Sequence, residues 1–176
     1  GLFANLRPAC LYRELADSCP LAAKDGGRTF DLIIVREITG AEADNCSHIT
    51  VLSEPICIAL PATHPLAHET ELPLTSVANE SFILPAEGSN LNPVFLKECH
   101  DAGFSPTINY KLSSKEYTFQ LIEQHKGCAI LGRSVANHYA TPNIRVIPLI
   151  TFANENINIA YTKYSQLSAS SKKFLQ

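Results

Sequence analysis

Several features that would assign a function at once are missing from this sequence of 176 residues. Its 6 cysteines form no Cys-x-x-Cys pair and no other metal-ligand spacing, which argues against a zinc or iron–sulfur site. Clusters of lysine and arginine are also missing, and the net charge is -3 at pH 7. Because a nucleic-acid partner needs positive charge to neutralise its phosphates, we do not expect this chain to bind nucleic acid directly.

Long apolar runs are absent as well. The longest, residues 55–61, is far too short to span a bilayer, and Asn5 and Arg7 interrupt the apolar residues where a signal peptide would need them. We therefore expect a cytoplasmic protein with no membrane contact. Thiols stay reduced in that compartment, so structural cysteines rather than disulfides are predicted. The six positions are Cys10, Cys19, Cys46, Cys57, Cys99 and Cys128.

The length and the apolar content suit an ordinary globular fold. The chain matches one domain, or two small lobes that share a core, and can bury about two-thirds of its unfolded surface without a disulfide or a metal. The β-branched run at residues 30–35 predicts a buried, parallel strand. Residues 49–60 predict one longer extended stretch, with a bulge or a sheet edge at Pro55.

From residue 81 onward, strands and helices alternate at the spacing of βαβ units, which predicts the α/β class. Pro93 in a first turn and Gly103 after a last turn mark one helix, and Ser113 or Ser114 caps the next. The predicted strands are 81–84, 107–112, 127–131, 144–150 and 156–164, and the predicted helices are 92–102, 114–125, 133–139 and one from about residue 168.

Five segments follow one another in the order of a known family. They are VLSEPICIALPATHPLA, LPLTSVANESFIL, HDAGFSPTINYKLSSKEYTFQLIEQHKGCAIL, IRVIPLI and SQLSASSKKFL. Over about residues 46–176 the chain thereby resembles the effector-binding domain of LysR-type transcriptional regulators. The resemblance implies a two-lobed α/β fold of the type II periplasmic-binding-protein kind. It also implies a small-molecule effector in the cleft between the lobes and a homodimer formed through this domain.

The same resemblance implies a division of the chain into lobes. Residues 46–64 supply a strand of the first lobe and the hinge, 65–142 the second lobe, and 143–176 the return hinge and the rest of the first lobe. Residues 1–45 replace the family's own beginning, so the first lobe is expected to be incomplete or rebuilt. The winged helix-turn-helix domain of such regulators is not in this sequence, and we expect DNA contact only through such a domain.

The beginning of the chain carries a second resemblance. The segments GLFANLRPACLYRELADSCPL and FDLIIVREITG, within residues 1–40, resemble 3-isopropylmalate dehydrogenase, an NAD-dependent decarboxylating enzyme of leucine synthesis. This resemblance implies that Arg7 and Arg36 grip carboxylates, for which the planar guanidinium is suited. Surface or ion-paired arginines left from another context are the alternative. A gene fusion, a deletion scar or a chimera would each produce a join near residues 40–45.

Catalysis is not expected from these residues. No Gly-x-Gly-x-x-Gly is present to seat a dinucleotide, and Asp44, Asp101 and Glu123 show no arrangement that would build a divalent-metal site. We therefore predict a binding module without a cofactor. One alternative is a catalytically incomplete fragment or fusion derived from the dehydrogenase. Another is a fusion product without function that folds only around its second lobe.

The candidate effector site is the loop at residues 87–91. It leaves the carboxyl end of a strand and enters a helix N-terminus, where backbone N–H groups and the helix dipole favour an anion. Gly88 lets the backbone come close, Ser89 and Asn90 add side-chain donors, and Leu91 begins the helix. The matching loop of the LysR family contacts the effector. Simple capping of the helix by Ser89 or Asn90 is the alternative, and it is compatible with binding.

Three weaker candidates complete the predicted site. Thr63 lies in the predicted hinge, and Gly132 and Ser134 begin another helix after a buried strand. His64, beside Thr63, is better explained as a turn residue packed on its lobe. The remaining histidines have no paired spacing, and we expect them at the surface: His48, His68, His100, His125 and His138.

Overall fold

The chain forms two compact units in a computed structural model that describes residues 32–35, 47–86, 89, 91–161 and 167–175. Unit 1 comprises residues 1–53 and 156–176, and unit 2 comprises residues 54–155. The chain therefore passes between the units twice, at residues 53–54 and 155–156. Unit 2 is longer at both ends than the predicted second lobe, because the strands on either side of that lobe join its sheet.

Unit 1 contains a three-stranded sheet in the order β1-β8-β2. Its strands are β1 (Leu32–Val35), β2 (Ser47–Glu54) and β8 (Glu155–Tyr161). The prediction of a parallel strand at residues 30–35 is wrong, since β1 pairs antiparallel with β8. The side chains of Leu32 and Ile34 are half-buried rather than buried. The last helix of the chain, Ala169–Phe174, begins at Ser168, whose hydroxyl accepts from the backbone N–H of Ser171 at 3.2 Å.

Pro55 divides the predicted extended stretch 49–60 into two strands with opposite environments. β2 ends at Glu54, and β3 (Ile56–Pro61) starts immediately afterwards in a different sheet. Residues 47–53 of β2 are all exposed, whereas Glu54 and every residue of β3 are buried. Proline has no N–H for a strand ladder, which is why the two strands separate at this residue.

The core of unit 2 is built on β3, which lies in the middle of the sheet β6-β3-β7. β6 (Ala129–Gly132) and β7 (Ile144–Pro148) both pair antiparallel with it. A strand that has neighbours on both edges and is covered on both faces needs apolar residues at successive positions. The sequence ICIAL at the start of β3 has this pattern.

A second set of strands runs parallel. β4 (Ser81–Pro85) pairs parallel with β5 (Thr107–Leu112). On its other side β4 meets the chain entering β6: the N–H of Ile83 donates to the carbonyl of Cys128, and the N–H of Cys128 donates to the carbonyl of Ser81, both at 2.8 Å. This contact is also a parallel bridge. β5, β4 and β6 therefore run in one direction, and their carboxyl ends share an edge.

The approach of β6 to β4 depends on a glycine. A Cβ on Gly127 would lie 2.6 Å from the carbonyl oxygen of Ser81, which is backbone and cannot rotate away. The absence of a side chain thus lets the two strands meet at Cys128. No sequence pattern marked Gly127 as necessary for this contact.

Each of the three parallel strands is followed by a helix. α1 (Leu91–Asp101) follows β4, α2 (Lys115–Glu123) follows β5, and α3 (Arg133–Tyr139) follows β6. α1 buries Phe95 against Phe82, with ring centroids 4.9 Å apart. α1 ends before Gly103, whose φ of 86° is the left-handed conformation expected of a helix stop. None of the helices among the described residues is long and apolar enough to cross a membrane.

The described cysteines are structural thiols, as predicted. Cys57, Cys99 and Cys128 are free and buried, and Cys10, Cys19 and Cys46 lie outside the described residues. Burial raises the pKa of Cys99 to about 11 and also raises the pKa of Cys128. It raises the pKa of Cys57 as well, although a hydrogen bond with Arg133 opposes the shift. Since thiolate is the reactive form, the raised pKa values disfavour reaction at these three side chains.

Candidate functional site

The edge where β4, β5 and β6 end brings together the starts of α1, α2 and α3. Ligands of open α/β sheets bind outside the carboxyl ends of parallel strands, next to helix N-termini. Each helix start offers unpaired backbone N–H groups and the positive end of a dipole. What already fills each helix start decides which of them is available to a ligand.

The start of α2 is filled by its own residues. The hydroxyl of Ser114 accepts from the N–H of Tyr117 at 3.3 Å and donates to Glu116 at 2.7 Å. Glu116 thereby brings a carboxylate to the first turn. A hydrogen bond from its own backbone, followed by the one from Ser114, holds the pKa of Glu116 below its usual value. The predicted cap at Ser114 is confirmed, and this helix start has its own anion.

The start of α3 is filled by a carboxylate from a distant part of unit 2. Glu54, 5% exposed, accepts the N–H of Ser134 at 2.7 Å on Oε2 and the hydroxyl of Ser134 at 2.8 Å on Oε1. A Cβ on Gly132 would lie 2.7 Å from Oε1 of Glu54 and 2.6 Å from Oε2 of Glu155. We call Glu54, Gly132, Ser134 and Glu155 the Gly132 clasp. Sequence reasoning missed both glutamates.

The clasp bears on two predicted site residues. Gly132 is buried and its open side faces two carboxylates, and both described donors of Ser134 serve Glu54. An anionic effector would have to displace Glu54 before it could bind there. Gly132 and Ser134 stay predictions, and the geometry favours the start of α1 over them.

The start of α1 carries no acidic residue in its first turn. Its N–H groups are few, because Pro93 has none and the N–H of Asn92 donates to the carbonyl of Ser89 at 3.2 Å. The side-chain Nδ2 of Asn92 donates to the carbonyl of Pro85 at 2.9 Å and ties the helix to the end of β4. The Oδ1 of Asn92 is buried and has no hydrogen-bond partner. Sequence reasoning missed Asn92, although an asparagine beside Pro93 in a first turn was visible.

Of the predicted effector loop, the structure describes Ser89 and Leu91, which follow the carboxyl end of β4. Ser89 and Leu91 are half-buried between β4 and α1. Gly88 and Asn90 lie outside the described residues, so their roles stay predictions. Of the three helix starts at this edge, α1 is the one for which the described residues provide no carboxylate.

Thr63 does not lie at this edge. β3 runs antiparallel to β6, so that Ile56 pairs with Gly132 and the chain then runs away from the site to Pro61, roughly 17 Å along the strand. Thr63 follows Pro61 and is exposed. The register thus separates Thr63 from Ser89, Leu91, Gly132 and Ser134, and we leave it out of the proposed site.

The predictions for the histidines agree with the structure. Nδ1 of His64 accepts from the N–H of Leu66 at 3.2 Å, and its Nε2 lies 3.2 Å from Oε1 of Glu80. His64 is therefore a turn residue held on both sides of its ring. All five histidines predicted at the surface are exposed: His48, His68, His100, His125 and His138.

Two of the acidic residues considered for a metal site, Asp101 and Glu123, have side-chain partners. Asp101 pairs with Lys97 at 2.5 Å, and Glu123 accepts from the hydroxyl of Thr141. Within the described ranges no three histidine, cysteine, aspartate or glutamate side chains are grouped to hold a metal ion. Asp44, Arg7 and Arg36 lie outside the described residues.

Comparison with known proteins assigns most of the chain to one family. The family model for the LysR substrate binding domain matches residues 26–176. YwbI, an uncharacterized HTH-type transcriptional regulator of Bacillus subtilis (strain 168), is 25% identical over 137 residues, or 78% of this chain and 46% of YwbI. The transcriptional dual regulator GltC of the same organism is 27% identical over 154 residues, or 85% of this chain and 50% of GltC. The chain thus spans about half the length of these relatives.

Solved structures share the fold. The regulatory domain of CcmR from Synechocystis PCC6803, in complex with 2-PG, superposes with a TM-score of 0.72 at 22% identity, covering 86% of this chain and 73% of that one. The effector binding domain of QuiR in complex with shikimate gives 0.66 at 22% identity, covering 83% and 68%. The effector binding domain of BenM with benzoate gives 0.67 at 18% identity, covering 82% and 66%. These neighbours confirm the predicted type II periplasmic-binding-protein-like α/β fold class.

A second likeness covers a short stretch only. The 3-isopropylmalate dehydrogenase of Nitratidesulfovibrio vulgaris is 58% identical over 40 residues, which are 23% of this chain and 11% of that enzyme. The match to the LysR domain covers more than three times as many residues and includes the sheet and all three helix starts described above. By that match, this chain belongs to the LysR substrate-binding domain family.

Proposed function

We propose that this chain is the effector-sensing domain of a LysR-type transcriptional regulator and that a small carboxylate is its effector. The observation that carries the proposal is the difference between three helix starts at one sheet edge. α2 and α3 begin on carboxylates of the protein itself, and α1 begins without one among the described residues. The proposed site is therefore the loop at Gly88, Ser89, Asn90 and Leu91.

An anion is the favoured ligand class for physical reasons. The 11 residues of α1 form a helix long enough for its dipole to favour negative charge at the first turn. No acidic side chain in that turn opposes such a ligand. The fold neighbours with shikimate and with benzoate show that related domains hold carboxylates. Because Pro93 supplies no N–H, side-chain donors from Ser89 and Asn90 have a larger share of the binding.

The proposal extends to the partners of this domain. We propose that it acts in the cytoplasm as a homodimer, without a membrane partner, a cofactor or a catalytic activity. The curated relatives are about twice as long and are named HTH-type or transcriptional regulators. We therefore propose that DNA is bound through a winged helix-turn-helix domain that is not part of these 176 residues.

Calorimetry and thermal shift on the whole chain test this function. Benzoate, shikimate and small aliphatic carboxylates are the probes, and saturation at about 100 times the Kd adds about 2.7 kcal/mol to the free energy of unfolding. We expect Asn90→Ala and Ser89→Ala to reduce this gain. Thr63→Ala is the matched control, because Thr63 is exposed and lies at the other end of β3. Equal stabilisation of all three variants by a carboxylate would place the site elsewhere.

The dehydrogenase-like segment supports a second candidate, an incomplete fragment or fusion derived from that enzyme. The 58% identity over 40 residues favours it for the beginning of the chain, where Arg7 and Arg36 would grip a carboxylate. An assay of NAD reduction with isopropylmalate and Mn²⁺ tests this candidate. Turnover that is abolished by Arg36→Ala would establish it, and we expect no turnover.

A further inference from the structure

We propose that the Gly132 clasp couples the two points where the chain passes between its units, so that both respond together to any movement of α3. All four clasp residues belong to unit 2. Glu54 is the first residue of that unit after one crossing, and Glu155 is the last before the other. The inference does not depend on the identity of the effector or on the proposed effector loop.

The first crossing is fixed to α3 by its side chain and its backbone. Glu54 is buried and holds both donors of Ser134, while the carbonyl of Pro55 accepts from the N–H of Arg133 at 3.1 Å. Charge-assisted hydrogen bonds of this kind are stronger than neutral ones. Glu54 and Pro55 are therefore joined to the start of α3 by three hydrogen bonds, two of which span a sequence separation of 80 residues.

The second crossing meets the first at Gly132. The two distances from the Cβ position of Gly132, 2.7 Å to Glu54 and 2.6 Å to Glu155, put the two carboxylate oxygens within 5.3 Å of each other. Both carboxylates occupy space that any other residue at this position would need. A shift of Gly132 toward these oxygens would thus act on both glutamates at once, and through them on the first residue of unit 2 and on its last.

Substitution of Gly132 offers a test, because glycine is needed at this position for its lack of a side chain and not for its backbone conformation. Its φ of -59° and ψ of 146° suit alanine, so Gly132→Ala adds no backbone strain. The new Cβ would nevertheless lie less than 3.0 Å from an oxygen of each carboxylate, so both glutamate side chains would have to shift. Gly103 provides the reverse case, with a φ of 86° that strains alanine and no atom within 4 Å of a new Cβ. Gly103→Ala is therefore the matched control for general destabilisation.

Amide hydrogen exchange on the whole chain measures the coupling. We expect Gly132→Ala to speed exchange about tenfold or more both at Ser134 and in the segment around Glu155, residues 154–158. Exchange in β5, on the far side of β4, should change less than in either segment. Gly103→Ala should instead alter exchange without singling out the two crossings.

The outcomes separate clearly. Faster exchange at Ser134 with unchanged exchange at residues 154–158 would overturn the coupling, and so would a profile identical to that of Gly103→Ala. If Gly132→Ala does not fold, Ser134→Ala serves in its place, because it removes one hydrogen bond to Glu54 and leaves the backbone bond intact. With Ser134→Ala we expect the same two segments to respond, by a smaller factor.

Discussion

Helices α1 and α3 follow β4 and β6, two strands that run in the same direction and meet at one parallel bridge, but the first turns of the helices differ in charge. α3 begins on the buried carboxylate of Glu54, whereas α1 begins after Ser89 and carries no acid in its first turn. Both follow a parallel strand, so their positions alone do not distinguish them. The comparison teaches that a helix start to which the described residues bring no carboxylate is a better candidate for an anionic ligand than one that the protein already neutralises.

The largest expected loss of stability comes from removing the carboxylate of Glu54 from the start of α3. Glu54→Ala removes the acceptor of two hydrogen bonds, and we expect the free energy of unfolding to fall by about 3 kcal/mol, measured by urea denaturation. Glu54→Gln keeps one oxygen that can accept from Ser134 and should lose clearly less. If Glu54→Ala left the stability within about 0.5 kcal/mol of the original, Glu54 would not differ from a surface residue.

A smaller loss is expected at α1 from Asn92→Ala. This change removes the hydrogen bond from Nδ2 to the carbonyl of Pro85, and we expect a fall of about 1 kcal/mol in the same denaturation experiment. It also removes the buried Oδ1 that has no partner, which limits the loss. Leu96→Ala, on the exposed side of the same helix, should change stability less. An unchanged free energy of unfolding in Asn92→Ala would mean that the tie to β4 contributes nothing.

Giving α1 an acid should make it resemble α3. Val94 is 40% exposed in the first turn, and Val94→Glu would place a carboxylate where the dipole favours it. We expect the Kd for a bound carboxylate to rise about fivefold, equivalent to roughly 1 kcal/mol. The control Val94→Gln introduces a side chain of the same shape as glutamate but without its charge, and it should leave the Kd nearly unchanged. Equal Kd values for the two variants would show that charge in this turn is irrelevant to binding.

The smallest effect is expected at the start of α2, in acid. The pKa of Glu116 is lowered from 4.5 in the folded chain, so its contribution to stability is present above that value and is lost as the pH falls through the lowered pKa. Ser114→Ala removes the second of the causes and should move this pKa back toward 4.5. An NMR titration of the Glu116 carboxyl carbon measures the shift. An unchanged midpoint would assign the lowering to the backbone alone.

Elements with local signals were predictable from the sequence. α3 (Arg133–Tyr139) and β5 (Thr107–Leu112) have the predicted bounds, and α1 differs from its prediction by one residue at each end. Capping residues, prolines and glycines mark such ends within a few residues of sequence. The position of the loop before Leu91 at the carboxyl end of a strand was predictable for the same reason.

Features that depend on distant partners were not predictable. The direction of β1 is set by β8, which lies more than a hundred residues further along the chain. In the sequence, nothing distinguishes Glu54 from other charged residues. Its role depends on Ser134, which lies 80 residues away in the sequence and contacts it only in the folded chain. The exclusion of Thr63 from the site follows only from the antiparallel register of β3 and β6. In each case the missing information is a tertiary contact.

The exposed strand β2 has a consequence for the protein in concentrated solution. Among the described strands, β2 lies at one edge of the sheet β1-β8-β2. Its exposed residues, 47–53, include no proline, lysine, arginine, aspartate or glutamate. Proline and charged residues usually prevent another chain from pairing with an edge strand. In β2 the exposed apolar side chains of Ile49, Val51 and Leu52 lie on both faces instead. As far as the described residues show this border, we therefore expect it to favour self-association at high protein concentration.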